Sequence, residues 1–184
     1  DKNYEATQYA IQVAKDNGCL ISFDPNLRLS LWKTPEEARR RILYGMKQCD
    51  IMKISEEEVA FVSEQESLEK GVSFIRDNSD IKILFVTLGN KGSIAYYKDE
   101  KIYCGGIHQE HVVDTTGAGD TFCGAVLSRI LELGTDALTE KDIREMLLFA
   151  NAAASIVVTR KGALCSMPEP EEIRAASSLI DKVL

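Results

Sequence analysis

The chain is 184 residues long, 45% apolar and 28% charged, with 22 Lys and Arg against 29 Asp and Glu and a formal net charge of −7. That balance fits one globular unit and excludes a collagen-like or low-complexity chain. An acidic chain without a basic cluster argues against a nucleic-acid partner, and no apolar run approaches the ~18 residues of a membrane span. The five cysteines, Cys19, Cys49, Cys104, Cys123 and Cys165, are scattered, and the only histidines are His108 and His111. This is neither a disulfide framework nor a zinc site, so buried, reduced thiols in a cytoplasmic protein are expected. The opening Asp1-Lys2-Asn3-Tyr4-Glu5 has no basic-then-apolar leader and points the same way.

Residues 2–17 read as an amphipathic helix with Tyr4, Ala10, Ile11 and Ala14 near one face and Gly18 as its stop. Cys19 to Phe23 is a short apolar run before the turn Asp24-Pro25-Asn26, the pattern of a buried strand ending in a loop. Thr34-Pro35-Glu36-Glu37 combines an N-cap, a first-turn proline and two first-turn acids, so a helix runs to about residue 48. A strand over 50–54 leads into Ser55-Glu56-Glu57-Glu58, which has the form of a capping box opening a further helix. A helix over 66–78 precedes the strand 83–86 and the glycine turn Gly89-Asn90-Lys91-Gly92, and segments 93–97 and 101–104 form a hairpin. Helices over 120–133, 140–158 and 171–183 complete the chain. Strands alternating with helices predict an α/β unit with a largely parallel sheet and helices on both faces. A chain that begins on a helix without a partner strand also suits part of something longer.

The most informative stretch runs from Val112 to Phe122. An apolar extended lead-in enters Gly117-Ala118-Gly119, and that loop opens a helix whose first turn carries Asp120. Small residues let consecutive backbone N–H groups face outward, and the helix dipole adds positive potential, which makes an anion hole suited to a phosphoryl group. A carboxylate at its edge can accept the proton of an attacking hydroxyl. The plainer alternative is a glycine turn followed by a dipole-favoured aspartate. The segment is not a P-loop, and Phe122 stands where the third glycine of Gly-x-Gly-x-x-Gly belongs.

Through Asp114-Thr115-Thr116-Gly117-Ala118-Gly119-Asp120-Thr121-Phe122, the chain resembles the ribokinase-like (PfkB) carbohydrate kinases, and among them the fructokinases. Phe23-Asp24-Pro25-Asn26-Leu27-Arg28, Thr87-Leu88-Gly89-Asn90-Lys91-Gly92, Ala150-Asn151-Ala152 and Thr159-Arg160-Lys161-Gly162 are similar to further family segments in the same order. The resemblance implies a three-layer ribokinase-like fold over residues 1–184, incomplete because the family's N-terminal strands and β lid are absent. It implies Asp120 as catalytic base and Gly117, Ala118 and Gly119 as the anion hole. Thr87, Gly89, Gly92 and Asn151 would lie along ATP, and Asn26 and Arg28 at the substrate or its phosphate. Glu58 would act on Mg2+ indirectly, while Asp114, Thr116, Val157, Arg160, Gly162 and Ser166 would form a monovalent-cation loop for K+. The family's Asn-x-x-Glu is Ser55-Glu56-Glu57-Glu58 here, so position 55 keeps an oxygen but loses the amide donor.

The expected activity is ATP-dependent phosphorylation of a sugar hydroxyl, foremost fructose to fructose 6-phosphate, with a homodimer in the full-length protein. Two alternatives stay open: a catalytically incompetent nucleotide-binding fragment, or a kinase for another small sugar such as ribose or 2-keto-3-deoxygluconate.

Overall fold

The computed structural model describes residues 2–180. Five strands, β1 (Ser22–Phe23), β2 (Ile51–Ser55), β3 (Ile83–Thr87), β4 (Gly92–Tyr97) and β5 (Glu100–Gly105), are hydrogen-bonded in the order β1-β2-β3-β4-β5. The sheet is mixed: β1 and β2 pair in parallel, with Ser22 opposite Ile51, and β4 and β5 pair antiparallel, with Gly92 opposite Gly105. The helices are α1 (Lys2–Asp16), α2 (Pro35–Met46), α3 (Glu56–Ser63), α4 (Leu68–Asp77), α5 (Ala118–Leu133), α6 (Glu140–Val157) and α7 (Pro170–Ile180). Among the described residues, no helix is long and apolar enough to cross a membrane. The chain divides into two compact units, Asp1–Phe85 and Val86–Leu184.

In the first unit, α2 begins as its sequence predicts. Thr34 is extended, its hydroxyl accepts the Glu37 N–H at 3.1 Å, and Pro35 occupies the first helical position, where its missing N–H costs nothing. The capping box at α3 also forms. The Ser55 hydroxyl accepts the Glu58 N–H at 3.2 Å, and the Glu58 carboxylate accepts the Ser55 N–H at 2.9 Å. Strand β2 is buried on both faces from Ile51 to Ile54, the pattern of an interior strand. Met46, Met52, Ile54, Val59, Val62 and Ile75 are among the fully enclosed side chains of this unit.

Two expectations for this unit need correction. The run Cys19–Phe23 is not a buried strand: only Ser22 and Phe23 pair, Cys19 is exposed, and Leu20 is 46% exposed. Its apolar residues sit at the sheet's outer strand, which has a neighbour on one side only among the described residues. Helix α1 buries nothing completely, and Ala10 is exposed. Its half-covered face carries Tyr4, Gln8, Ile11 and Ala14, with the Tyr4 ring edge-on to Tyr44 at 5.5 Å and the Arg41 guanidinium 3.5 Å from the Tyr4 ring centre.

The second unit is built on the β4–β5 hairpin and on α5, α6 and α7. The small residues Ala150, Ala152 and Ala153 of α6 are wholly buried, which permits the close packing of α6 on α5 and on both hairpin strands. A Thr139–Asp142 capping box opens α6. The end of the last expected helix, 181–183, lies outside the described residues. The cysteine expectation holds for Cys49 and Cys104, which are buried; burial pushes the Cys49 thiol up to about 12. It fails for Cys19 and Cys165, which are exposed, and Cys123 is half-buried.

Candidate functional site

In the second unit, Thr87, Gly89 and Gly92 from the turn after β3, Ala118 and Gly119 from α5, and Asn151 from α6 line one cavity of about 350 Å³. That volume lies in the ordinary range of small-molecule pockets, about 300–1,000 Å³. The segment after β5, Gly106 to Gln109, closes another side, with Val112, Thr115 and Phe122. Along α6 the wall is Asn151, Ala154, Ser155 and then Val158 just beyond the helix. Their spacing of three, four and seven is a helical face, a signal present in the sequence but masked by the alanines' equal fitness for a core. Gly106, the second of the Gly105-Gly106 pair, is the other sequence signal at this cavity.

Glycine is required at two edges of this cavity. Gly92 has φ +107°, and a Cβ there would lie 2.2 Å from the Cys104 carbonyl oxygen. A Cβ on Gly106 would meet the Asn90 carbonyl oxygen at the same distance. Glycine at both positions therefore lets the hairpin backbone close up on itself at this edge of the cavity. Asn151 is 6% exposed. Its Oδ1 accepts the Ser93 hydroxyl at 2.9 Å, and its Nδ2 donates to the carbonyls of Cys104 and Gly105, both at 3.2 Å.

Helix α5 starts on Gly117 in the left-handed region, φ +84°, without a side-chain cap. The Gly117 carbonyl accepts the Thr121 N–H at 2.8 Å, and the Ala118 N–H turns back to Thr115. Gly119 and Asp120 belong to the first turn, whose amides have no acceptor inside the helix. Asp120 is the third helical residue and is exposed; it does not line the cavity that Ala118 and Gly119 line. The site thus has a pocket wall, a dipole-positive helix end and a carboxylate on that end's outer side.

Beside it, Asp114 ties two loops together. One carboxylate oxygen accepts the Thr116 N–H at 2.9 Å and the other the Gly162 N–H at 3.2 Å. Those bonds, foremost the one from Thr116, hold its carboxyl below the usual value of 3.8. Ser166 is buried, and its hydroxyl donates to the Gly162 and Ala163 carbonyls at 2.6 Å. Arg160 donates to the Ser166 carbonyl and to Glu172, and the Val157 carbonyl accepts the Arg160 N–H. A Cβ at Gly117 would stand 3.3 Å from the Ala163 Cα, so the helix-opening loop and the 160–166 loop are in contact. Thr116 is exposed.

The remaining predicted residues lie in the first unit. Asn26 is exposed, in the left-handed region at φ +44°, and Arg28 is exposed with its guanidinium donating to the Leu27 carbonyl. Glu58 is buried, and besides capping α3 it accepts the Leu27 N–H at 2.6 Å. Lys53, also buried and not anticipated from sequence, reaches both oxygens of Asp24 at 3.2–3.3 Å. Burial raises the Asp24 pKa, with Lys53 opposing the shift. The turn 24–28 is therefore pinned from β2 at one end and from α3 near the other. Among the described residues no cluster of three or more His, Cys, Asp or Glu side chains is placed to hold a metal ion.

Residues 2–170 match the pfkB family carbohydrate kinase description. Fructokinase-1 of Oryza sativa subsp. japonica is 42% identical over 166 residues, covering 89% of this chain and 50% of the relative. Fructokinase-2 of Solanum lycopersicum is 39% identical over 163 residues, covering 89% and 49%. Among solved structures, fructokinase of Vibrio cholerae O395 bound to fructose, ADP and calcium is 33% identical, with TM-score 0.84, over 93% of this chain and 55% of that one. A double mutant of that fructokinase has been solved with fructose, ADP and a potassium ion. Fructokinase of Xylella fastidiosa with bound ATP is 25% identical, with TM-score 0.85, over 96% and 57%. The chain spans about half the length of the curated relatives it matches.

Proposed function

Because the chain belongs to the pfkB family of carbohydrate kinases and carries the ribokinase-like α/β fold, we propose that it is the nucleotide-holding portion of a sugar kinase, with fructose as the preferred acceptor. The observation that carries this reading is the cavity of about 350 Å³ whose wall runs into the uncapped N-terminus of α5. A base and ribose fit the mostly apolar, glycine-edged part of such a cavity, and phosphates favour the helix end.

Bound MgATP would supply the γ-phosphoryl group. Thr87, Gly89 and Gly92 line the nucleotide, and Asn151 belongs to the same wall. Gly117, Ala118 and Gly119 present backbone dipoles where phosphoryl charge develops. The Asp120 carboxylate takes the proton of the sugar hydroxyl, a step needed late in a loose transition state. Asn26 and Arg28 serve the sugar or its phosphate. Glu58 fits an indirect role toward Mg2+, because its two accepted N–H bonds leave further lone pairs for a bridging water.

The Asp114, Thr116, Val157, Arg160, Gly162 and Ser166 loops fit a monovalent cation. The Val157 and Gly162 carbonyls each accept one bond and keep a second lone pair, and Asp114 draws both loops to the base of the anion hole. Potassium bound there would order the Gly117 loop through its contact with Ala163.

The alternative is a nucleotide-binding chain without catalysis; this chain spans about half the length of the curated relatives it matches. One assay separates the two. A coupled measurement offers fructose, glucose, ribose and 2-keto-3-deoxygluconate to this chain alone and to a form carrying the relatives' remaining half, in matched potassium and sodium. The expected result is no turnover by the chain alone, transfer to fructose by the longer form, and faster transfer in potassium. Transfer to none of the four by the folded longer form would overturn the kinase reading.

A further inference from the structure

We propose that Asn151 is a positioning residue for the nucleotide pocket, holding the glycine edge of the β4–β5 hairpin in its receptive form instead of giving its amide to the nucleotide. The proposal rests on the nucleotide reading above and deepens it. A side-chain amide offers two donors and one acceptor oxygen. Here both donors are taken by the Cys104 and Gly105 carbonyls, and the oxygen accepts the hydroxyl of Ser93.

Those partners are not scattered. Ser93 is directly opposite Cys104 in the strand register, and Gly105 is opposite Gly92. Asn151 therefore clamps both strands at one cross-strand pair, one step from the edge where Gly92 and Gly106 face the cavity. That edge has little slack, because backbone approaches so closely that neither glycine has room for a Cβ. Letting Cys104 and Gly105 drift from α6 would move the pocket wall itself. Ser93 is fully buried and does not line the cavity, so its removal acts on a ligand only through this clamp.

The test uses Ser93→Ala, with Tyr97→Phe as control. Tyr97 lies at the other end of β4, and its hydroxyl donates to the Thr135 carbonyl at 2.8 Å, so losing it also weakens the hairpin's anchoring. Two quantities are read on each protein: hydrogen exchange of the Gly106 N–H, which bonds the Lys91 carbonyl, in the absence of nucleotide, and affinity for ATP. Ser93→Ala is expected to speed Gly106 exchange and weaken ATP binding about tenfold, the scale of one buried hydrogen bond lost with its partner left behind. Tyr97→Phe is expected to lower the melting temperature while leaving both quantities within about twofold of the parent. Unchanged exchange and affinity in Ser93→Ala would overturn the positioning role, and so would equal losses in the two variants. Absence of ATP binding by the unsubstituted chain would instead bring down the nucleotide reading itself.

Discussion

Asp120 occupies the third position of a helix that begins on an uncapped glycine, where a carboxylate is favoured electrostatically whether or not it does chemistry. Substitution separates the two roles. Asp120→Asn keeps shape and tolerates the first turn, but cannot accept a hydroxyl proton as a carboxylate does. In the catalytically complete protein, turnover should fall roughly 10²–10⁴-fold with ATP affinity retained. Turnover within a few-fold of the parent, with only a lowered melting temperature, would make Asp120 a helix-end residue and nothing more. Asp114 offers a second test through pH. Its folded-state pKa lies below 3.8, so the unfolded chain takes up the proton first on acidification. The stabilisation is therefore complete above that value and is lost as pH falls through the lowered one. Thermal melts should show Asp114→Asn less stable than the parent at neutral pH, the gap closing below pH about 4. A gap independent of pH would mean that the carboxylate's two N–H bonds do not carry it.

At the scale of elements, helix starts were legible and long-range partnerships were not. Thr34-Pro35 and Ser55–Glu58 announce α2 and α3 because a cap is a local device, closed within three residues. The second oxygen of Glu58 binds the Leu27 N–H across 31 residues, and Ser93 meets Asn151 across 58. Nothing in the local pattern encodes either bond, since both depend on where whole elements pack. For the same reason Cys19-Leu20-Ile21 reads as a strand, although it precedes β1 and the Cys19 N–H turns back to the Ala14 carbonyl while the Ile21 N–H goes to the Asp50 side chain. The Glu58 bridge predicts a coupling between elements. Glu58→Gln keeps one acceptor oxygen and replaces the other with a donor, so the Leu27 amide should exchange faster while α3 remains helical by circular dichroism. Melting of α3 with an unchanged Leu27 exchange rate would assign Glu58 to the cap alone.

For the whole molecule, the alternation of strands and helices gives the α/β class, and Gly117-Ala118-Gly119 at a helix start marks an anion hole in the sequence itself. What they did not give was the cavity, because its walls come from a hairpin turn, a helix start and a helix face separated by tens of residues in sequence. The residues proposed as a cation loop carry no local pattern of their own, and the Gly162 N–H bond to Asp114 that joins the two loops spans 48 residues. The account depends most on the cavity beside α5 being a nucleotide site. Calorimetric titration of the purified chain with ATP and, separately, with adenosine addresses that claim directly. The account predicts saturable binding of ATP, tighter than that of adenosine because the phosphates meet the N-terminus of α5. A folded chain that binds neither, or binds adenosine as tightly as ATP, would contradict it.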